Sequence, residues 1–185
     1  MIWWPTEIPT LQHGLITLRP TQEKDIASIY EACQDPIIPQ FTTVPAPYMM
    51  THAISFIREQ APSHFLQKTE LVFAITRGQA KDEQFCGVIS FHTINLQNHT
   101  AELGYWMAAP ARGQGIGTTA AKLISEYGFS TVGFRRVEAL VNTDNVASQA
   151  LLISAGYERE GLMRKKITRD DGTQIDMALY SRIAS

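Results

Sequence analysis

The spacing of apolar positions along the chain predicts a mixed α/β fold. Apolar and polar residues alternate in LITLRPT (15–21), as they do in a half-buried strand. Three further strands are predicted in ELVFAIT (70–76), FCGVISFHTI (85–94) and AELGYWMA (101–108), and the short polar connections between them favour antiparallel hairpins. RRVEALV (135–141) and two last strands on either side of RDDGTQ (169–174) bring the expected number to about seven.

Helical spacing in four segments predicts about four helices. EKDIASIYEACQ (23–34) and THAISFIREQ (51–60) form the first two, with Thr51 as a fair N-cap. A third helix follows the glycines of ARGQGIGTTAAKLI (111–124), and a fourth, in NVASQALLISAGY (145–157), ends at Gly156. Residues 35–48 contain four prolines and are expected to form an ordered loop.

Composition narrows the class of protein. A chain of 185 residues with 44% hydrophobic and 18% charged residues fits a single globular domain over 1–185. A net charge of -2 gives no electrostatic reason to expect nucleic-acid binding. The two cysteines form no disulfide or zinc pattern, and neither a signal peptide nor a run of ~18 apolar residues is evident. We therefore expect a cytoplasmic protein without a membrane partner.

The glycine-rich stretch is the strongest indication of function. Gly113, Gly115 and Gly117 alternate with other residues at the start of the third helix, directly after Arg112. Such a helix entrance exposes several backbone N–H groups at the positive end of the helix dipole. This pattern predicts an anion site, most often one for a phosphate.

Three known kinds of phosphate site compete for this stretch. A P-loop requires a lysine after the glycines, and none is present. A dinucleotide fingerprint is satisfied by Gly115, Gly117 and Ala120, with Asp144 further on, which leaves an NAD(P)-dependent enzyme as an alternative. Against it, MAAPAR separates the strand from its glycines, and an antiparallel meander precedes them. A helix entrance that only packs closely is a further alternative.

The third kind of site fits best. RGQGIG (112–117) is similar to the R/Q-x-x-G-x-G/A loop of GNAT-type N-acyltransferases. The chain most resembles the RimJ/RimL-like branch, through ITLRPT, VPAPYMMTHAISFI, AELGYWMAAPARGQGIG, NVAS and SAGYEREG. The resemblance implies the GNAT fold: a mixed, mostly antiparallel sheet of about seven strands, about four flanking helices, and strands splayed at the acetyl-CoA site.

The resemblance also implies how acetyl-CoA binds as cosubstrate. Its pyrophosphate is expected on the N–H groups of residues 113–118, its pantetheine arm along the strand end near Met107, and a further contact at Asn145, which is also a fair helix N-cap. The implied cofactor-binding residues are Met107, Ala108, Arg112, Gly113, Gln114, Gly115, Ile116, Gly117, Thr118 and Asn145. No metal is expected, because the histidines show no ligand spacing.

Two residues are the candidate catalytic groups. Glu102, bracketed by apolar residues in its strand, is the expected base, although a surface glutamate is an equal alternative. The resemblance implies that Ser148 gives a proton to the departing CoA thiolate, with Tyr157 or water as alternatives. Tyr105 is expected to pack, and no chemistry is assigned to His92.

The resemblance favours direct transfer of an acetyl group, in a ternary complex, to a protein or peptide N-terminal amine. A small amine such as an antibiotic, a polyamine or an amino acid is an alternative acceptor. A non-catalytic acyl-CoA-binding protein is an alternative from another class. The protein is expected to be a monomer or a homodimer.

Overall fold

One eight-stranded sheet organises residues 2–79, 81–169 and 171–184, the part of the chain that the computed structural model describes. Its strands are β1 (Leu11–His13), β2 (Ile16–Arg19), β3 (Leu71–Arg77), β4 (Gln84–Asn95), β5 (Thr100–Met107), β6 (Arg136–Asn142), β7 (Glu158–Thr168) and β8 (Gln174–Ile183). They lie in the order β1-β2-β3-β4-β5-β6-β8-β7. Within these residues every neighbouring pair is antiparallel except β5 and β6.

Helices cover both faces of the sheet. They are α1 (Asp25–Ala32), α2 (Ile37–Phe41), α3 (Met50–Ser55), α4 (Ala61–Leu66), α5 (Ile116–Tyr127) and α6 (Val146–Ser154). On one face, α5 and α6 bury Ala120, Ile124 and Leu152 against the core. On the other, α1–α4 bury Ile29 and Ala53 over Val72 and Val88 of the sheet. The core therefore has two halves, separated by the sheet.

The parallel pair of strands separates halfway along its length. β5 and β6 are paired only where Thr100–Glu102 faces Arg136–Glu138. Beyond this point β5 stays with β4 as far as Met107, while β6 stays with β8 as far as Asn142. Each strand keeps its antiparallel neighbour and loses the parallel one. The result is a gap in the middle of the sheet, as the resemblance implies.

Two sequence-based expectations for the region before β3 are wrong in part. The prolines of residues 35–48 do not prevent a short helix, because Pro36 is the N-cap of α2 and Pro39 lies in its first turn. Proline is tolerated there, since first-turn N–H groups have no partner within the helix. The next helix starts at Met50 with Met49 as N-cap rather than Thr51, and the ring Nδ1 of His52 accepts the Met49 N–H.

The remaining differences add elements. A π-helical turn at Phe56–Gln60 continues α3 into α4, and β1 precedes the first predicted strand. The described residues thus form eight strands and six α-helices where the sequence indicated about seven and four. Within the same residues, no helix is long and apolar enough to cross a membrane.

Candidate active site

The gap between β5 and β6 opens into a cleft of about 1310 Å³ that reaches both faces of the sheet. On the α5/α6 face, the glycine-rich loop and the start of α6 line it. On the other face, it is lined by β4 and β5, by residues 37–46 and by the ends of β7 and β8. All of the predicted site residues except Ala108 and Gln114 therefore line one cavity.

The glycine-rich loop has the backbone conformation that an anion site needs. Gly113 and Gly115 have φ values of 71° and 73°, which residues with a side chain rarely adopt. Among the described residues, no carbonyl accepts a hydrogen bond from the N–H groups of Gly113, Gln114 or Gly115. The first-turn N–H groups of Ile116, Gly117 and Thr118 have no partner within α5. Six consecutive N–H groups are therefore available at the start of a long helix.

Arg112 holds the loop in place through three hydrogen bonds. Its Nε and Nη2 donate to the Met107 carbonyl, at 3.0 and 2.9 Å, and its Nη1 donates to Oδ2 of Asp35 at 2.6 Å. The Ile37 N–H and then Arg112 lower the pKa of Asp35, so this carboxyl stays ionised. The guanidinium thus joins the end of β5 to the segment between α1 and α2. In this structure the guanidinium fixes the shape of the loop and places a positive charge beside it.

The side chain of Gln114 has a similar role. Its amide donates to the Pro110 carbonyl at 2.6 Å and accepts from Nη1 of Arg77, also at 2.6 Å. The backbone of Gln114 stays exposed on the loop. The residue therefore contributes a main-chain donor to the site, while its side chain supports the loop.

Met107 and Ala108 differ in the direction of their backbone groups. The Ala108 N–H donates to the Cys86 carbonyl at 2.8 Å, toward β4. Because backbone groups alternate along a strand, those of Met107 face the gap, where its carbonyl is already bonded to Arg112. The gap-facing edge of β5 is thus available at Met107 and Tyr105, and the Ala108 N–H is not.

Ser148 is fixed at the start of α6 on one side of the gap. Asn145 is the N-cap of this helix, as expected, and its Oδ1 accepts the Ser148 N–H at 3.1 Å. The hydroxyl oxygen of Ser148 lies 2.7 Å from that of Tyr105 on β5. Burial raises the pKa of Tyr105 to about 12, and the Ser148 contact opposes this shift. The phenol therefore stays protonated and forms a hydroxyl pair with Ser148.

Tyr105 lines the cleft beside Ser148, whereas the sequence indicates only a packing role for it. It lies on the opposite face of β5 from Glu102. Tyr157, the alternative proton donor, is 2% exposed, and its hydroxyl pairs with the Ser125 hydroxyl at 2.7 Å. Tyr157 is thus directed at α5 within the core.

Glu102 lies on the opposite face of the sheet from Ser148. It is half-buried, on the same face of β5 as Gly104 and Trp106. Burial raises its pKa; His92 lowers it, Glu138 raises it, and Lys166 lowers it, in decreasing order of effect. A carboxyl with a raised pKa is better matched to taking up a proton near neutral pH. Of the two sequence-based alternatives, the half-buried environment favours the base over a surface glutamate.

His92 also lines the cleft, beside Glu102, although the sequence reasoning gave it no chemistry. Its position depends on the register of β4 and β5, which the spacing of histidines does not reveal. Within residues 2–79, 81–169 and 171–184, no cluster of three His, Cys, Asp or Glu side chains is arranged to hold a metal ion.

The site thus has three parts joined by the gap. The glycine-rich loop presents free N–H groups, the Tyr105–Ser148 hydroxyl pair lies on one face, and the half-buried carboxyl of Glu102 lies on the other. A group placed in the gap can be approached from one face and can release a leaving group on the other. This arrangement suits transfer of an acyl group from a phosphate-bearing donor.

Comparisons with known proteins agree with this chemistry. Residues 16–158 match the family model described as an acetyltransferase (GNAT) domain. The chain is 28% identical over 173 residues to the uncharacterized N-acetyltransferase YoaA of Bacillus subtilis (strain 168), covering 94% of this chain and 96% of that protein.

Two further matches are informative. The ribosomal-protein-serine acetyltransferase of Escherichia coli (strain K12) is 32% identical over 103 residues, which is 56% of this chain and 57% of that protein. The crystal structure of the microcin C7 self-immunity acetyltransferase MccE, in complex with acetyl-CoA and AMP, superposes with a TM-score of 0.80. It is 29% identical and covers 92% of this chain and 93% of that one.

Proposed function

Since this chain belongs to the GNAT family of acetyl-CoA-dependent N-acetyltransferases, we propose that it acetylates the N-terminal α-amine of a peptide or protein. The observation that carries the proposal is the gap between β5 and β6, with Glu102 on one face and the Tyr105–Ser148 pair on the other. Family membership, the mixed α/β fold and the enzyme class agree with the resemblance of the sequence.

The glycine-rich loop holds the diphosphate of acetyl-CoA. The free N–H groups of residues 113–118 converge at the start of α5, where the helix dipole favours an anion. Arg112 supports this nest through Met107 and Asp35 and adds positive charge beside it. The gap-facing backbone of β5 pairs with the pantetheine arm, and Asn145 supports the same arm from the start of α6. Acetyl-CoA supplies the acetyl group as a thioester.

Glu102 prepares the acceptor. An amine attacks a carbonyl only when neutral, and a free α-amine has a pKa of about 8, so a modest base is sufficient. The half-buried carboxylate of Glu102 accepts the proton through water, on the face where the acceptor enters. Burial raises the pKa of Glu102, which strengthens it as a base.

Ser148 and Tyr105 act on the leaving group. The new C–N bond forms as the C–S bond breaks, and the thiolate takes up a proton. Ser148 donates that proton and draws on the Tyr105 hydroxyl 2.7 Å away. Two linked hydroxyls stabilise developing negative charge better than one, because each polarises the other.

The cysteines favour direct attack over an acetyl-cysteine intermediate. Both Cys33 and Cys86 are buried and free. Burial raises the pKa of Cys33 to about 12 and also raises that of Cys86. The thiolate is the nucleophilic form of cysteine, so neither residue is poised to accept an acetyl group. The amine therefore attacks the thioester in a ternary complex.

The lining of the acceptor side supports a peptide as the acetyl acceptor. Phe41, Val44, Trp106 and Met177 contribute apolar surface to the cleft, which is also lined by the carboxylates of Glu70, Glu102 and Asp171. The apolar surface can bury the first side chains of a peptide next to its amine, whereas a polyamine offers only methylene groups between its charges. The ribosomal-protein-serine acetyltransferase of Escherichia coli, named for a protein substrate, is one of the relatives.

A small-molecule amine is the second candidate acceptor. The 29% identity to MccE, whose crystal structure contains AMP as well as acetyl-CoA, favours it. An amine joined to an aromatic or heterocyclic group would also find apolar contacts beside Trp106.

A thiol-release screen tests the proposal. Purified protein and acetyl-CoA are mixed with peptides that differ in their first residue, and with small amines that include spermidine and aminoacyl nucleotides. Free CoA should appear with at least one unblocked peptide and not with the same peptide carrying an acetylated N-terminus. Preference for a small amine would replace the peptide with the second candidate. Binding of acetyl-CoA without thiol release from any amine would favour a non-catalytic acyl-CoA-binding protein.

A further inference from the structure

His92 lies directly opposite Glu102 in the pairing of β4 with β5. Opposite residues of an antiparallel pair project from the same face, with Cβ atoms about 4.5–5.5 Å apart. Both side chains line the cleft on the acceptor side, with Ser90 and Gly104 between them and Trp106. The imidazole is therefore a close neighbour of the proposed base.

The strand is irregular at this point. The register between β4 and β5 shifts after His92, and pairing resumes at Asn95. Thr93 has φ of 50°, in the left-handed region, which is unfavourable for a β-branched residue. Its hydroxyl oxygen lies 2.9 Å from Nδ1 of His92. Bulges beside active sites commonly redirect a side chain, and here the strained residue holds the imidazole.

Gly104 leaves the space that the imidazole occupies. A Cβ atom built on Gly104 would lie 2.8 Å from Nε2 and 2.9 Å from Cδ2 of His92. The ring thus lies over Gly104, and Nε2 is the nitrogen nearer to β5. In the tautomer whose Nδ1 donates to the Thr93 oxygen, Nε2 carries the lone pair. The ring presents a proton acceptor beside Glu102.

Two further charged groups near this pair lie on two other strands. Glu138 on β6 and Lys166 on β7 act, together with His92, on the proton equilibrium of Glu102. His92 lowers the pKa of Glu102, against the effect of burial. A proton on the imidazole therefore favours the carboxylate form of its neighbour.

Turnover requires one proton to leave the protein. An ammonium nitrogen loses two protons in becoming an amide nitrogen; one balances the proton that ends on the CoA sulfur, and the other goes to solvent. Glu102 and His92 are both half-buried, and His92 borders the exposed Thr93. We infer that His92 is the positioning partner of Glu102: through water, its Nε2 takes the proton that Glu102 received from the acceptor and releases it to solvent, which restores the carboxylate. This inference rests on the proposed function.

Substitution of His92 by glutamine keeps a polar side chain and removes the titrating group. With a peptide that wild-type protein acetylates, H92Q should lower kcat/KM at least about tenfold, less than loss of the base itself, and leave the affinity for acetyl-CoA unchanged. The acidic limb of its kcat/KM profile should move to higher pH, because Glu102 loses the cation that lowers its pKa. His13, exposed on β1, provides the matched control, and H13Q should behave as wild type.

Chemical rescue separates a proton acceptor from a packing residue. H92A leaves an open space over Gly104, and added imidazole should restore a measurable part of the lost rate, with little effect on wild type. G104A is the second variant: it keeps every titrating group but displaces the ring, and should lower kcat/KM in the same direction as H92Q. Near-UV circular dichroism and Tm verify that each variant is folded.

The outcomes distinguish this inference from the proposed function. No thiol release by wild-type protein from any amine overturns the function itself. An active wild type with H92Q at the wild-type rate and an unmoved pH profile overturns the role of His92 alone. A slow H92A that imidazole does not rescue, together with an unmoved H92Q profile, assigns the ring to packing and overturns the inference as well.

Discussion

The hydroxyl oxygens of Tyr105 and Ser148 lie 2.7 Å apart, between the end of β5 and the start of α6. The contact bridges the gap where the two central strands part. Asn145 fixes the serine by capping α6, and the strand fixes the tyrosine. This pair lies on the cofactor side of the sheet, opposite the face that carries Glu102. The separation of the two roles onto two faces is the basis of the predictions below.

The hydroxyl pair predicts coupled effects on thiol release. S148A should lower kcat by about 10²-fold, within the range for loss of one acid–base group, and Y105F should lower it less. The rate of the double variant should fall by less than the product of the two single effects, because the hydroxyls act as one unit. Stopped-flow measurement of free CoA provides the rates. S130A, on an exposed serine after α5, is the control, and independent multiplication of the two effects would contradict the pairing.

Glu102→Gln should lower the activity of the protein and raise its stability at pH 7. Loss of the base should lower kcat by about 10²–10⁴-fold, with acetyl-CoA affinity unchanged. Burial raises the pKa of Glu102 in the folded protein, so ionisation of this group disfavours the fold. The variant should therefore have a larger free energy of unfolding than wild type at pH 7.

The contribution of Glu102 to the free energy of unfolding changes over a defined range of pH. Below the ordinary value of 4.5 the carboxyl is protonated in both states, and its benefit to the folded protein is fully present. The benefit is lost as pH rises through the higher folded pKa. Urea unfolding at pH 7 and pH 4 should show the gain of the glutamine variant at pH 7 and little difference at pH 4. A constant difference at both pH values would argue against a buried, ionised carboxylate.

Gly115→Ala tests the backbone of the anion nest. A Cβ atom at φ of 73° strains the loop by about 1 kcal/mol or more, although open space surrounds it. The N–H groups of the loop should lose their alignment, and acetyl-CoA should bind about tenfold more weakly by calorimetry, in line with about 1.4 kcal/mol. Lys122→Ala, an exposed change later in α5, is the control. Equal affinities for both variants would remove Gly115 from the nest.

An ion-pair network far from the cleft should respond to acid. Buried Arg19 bonds to both oxygens of Asp25, at 2.8 Å, and to both oxygens of Glu83, at 2.9 and 3.0 Å. These contacts, chiefly the Arg19 hydrogen bond, lower the pKa of Glu83 to about 2. The stabilisation is present above the ordinary value of 4.5 and is lost as pH falls toward 2.

Glu83→Gln should therefore lower the free energy of unfolding at pH 7 by about 1–3 kcal/mol, the usual effect of a hydrogen bond to a charged group. The difference from wild type should shrink at pH 3, because protonation of Glu83 in the unfolded chain below 4.5 offsets part of the stabilisation. Urea unfolding across pH measures it, with exposed Glu126→Gln as the comparison. An acid-independent loss would show that packing, not charge, stabilises this corner.

The sequence predicted those parts of the site that are formed by residues close together in the chain. Gly113 and Gly115 reveal the nest because their backbone conformation and the following helix are both encoded within a few residues. Asn145 as N-cap of α6 and Gly156 just after its end, with φ of 87°, follow from the same kind of short-range rule. The splayed strands came from the family resemblance rather than from any pattern of hydrophobic residues.

Contacts between distant residues were beyond the reach of such rules. The Tyr105–Ser148 pair spans 43 positions and the Arg112–Asp35 pair spans 77. The place of His92 depends on a strand register and on the missing side chain of Gly104. The short helix α2 escaped prediction because proline content does not show that Pro36 and Pro39 both fall where a helix tolerates them.

An NMR titration of the ¹⁵N-labelled protein with coenzyme A tests the central claim most directly, because it reports binding and its location together. The account predicts that the amide resonances of residues 113–118 shift most, as their free N–H groups receive the diphosphate, and that those of Ser148 and Tyr105 follow. Absence of any shift, or shifts confined to surfaces away from the gap between β5 and β6, would contradict it.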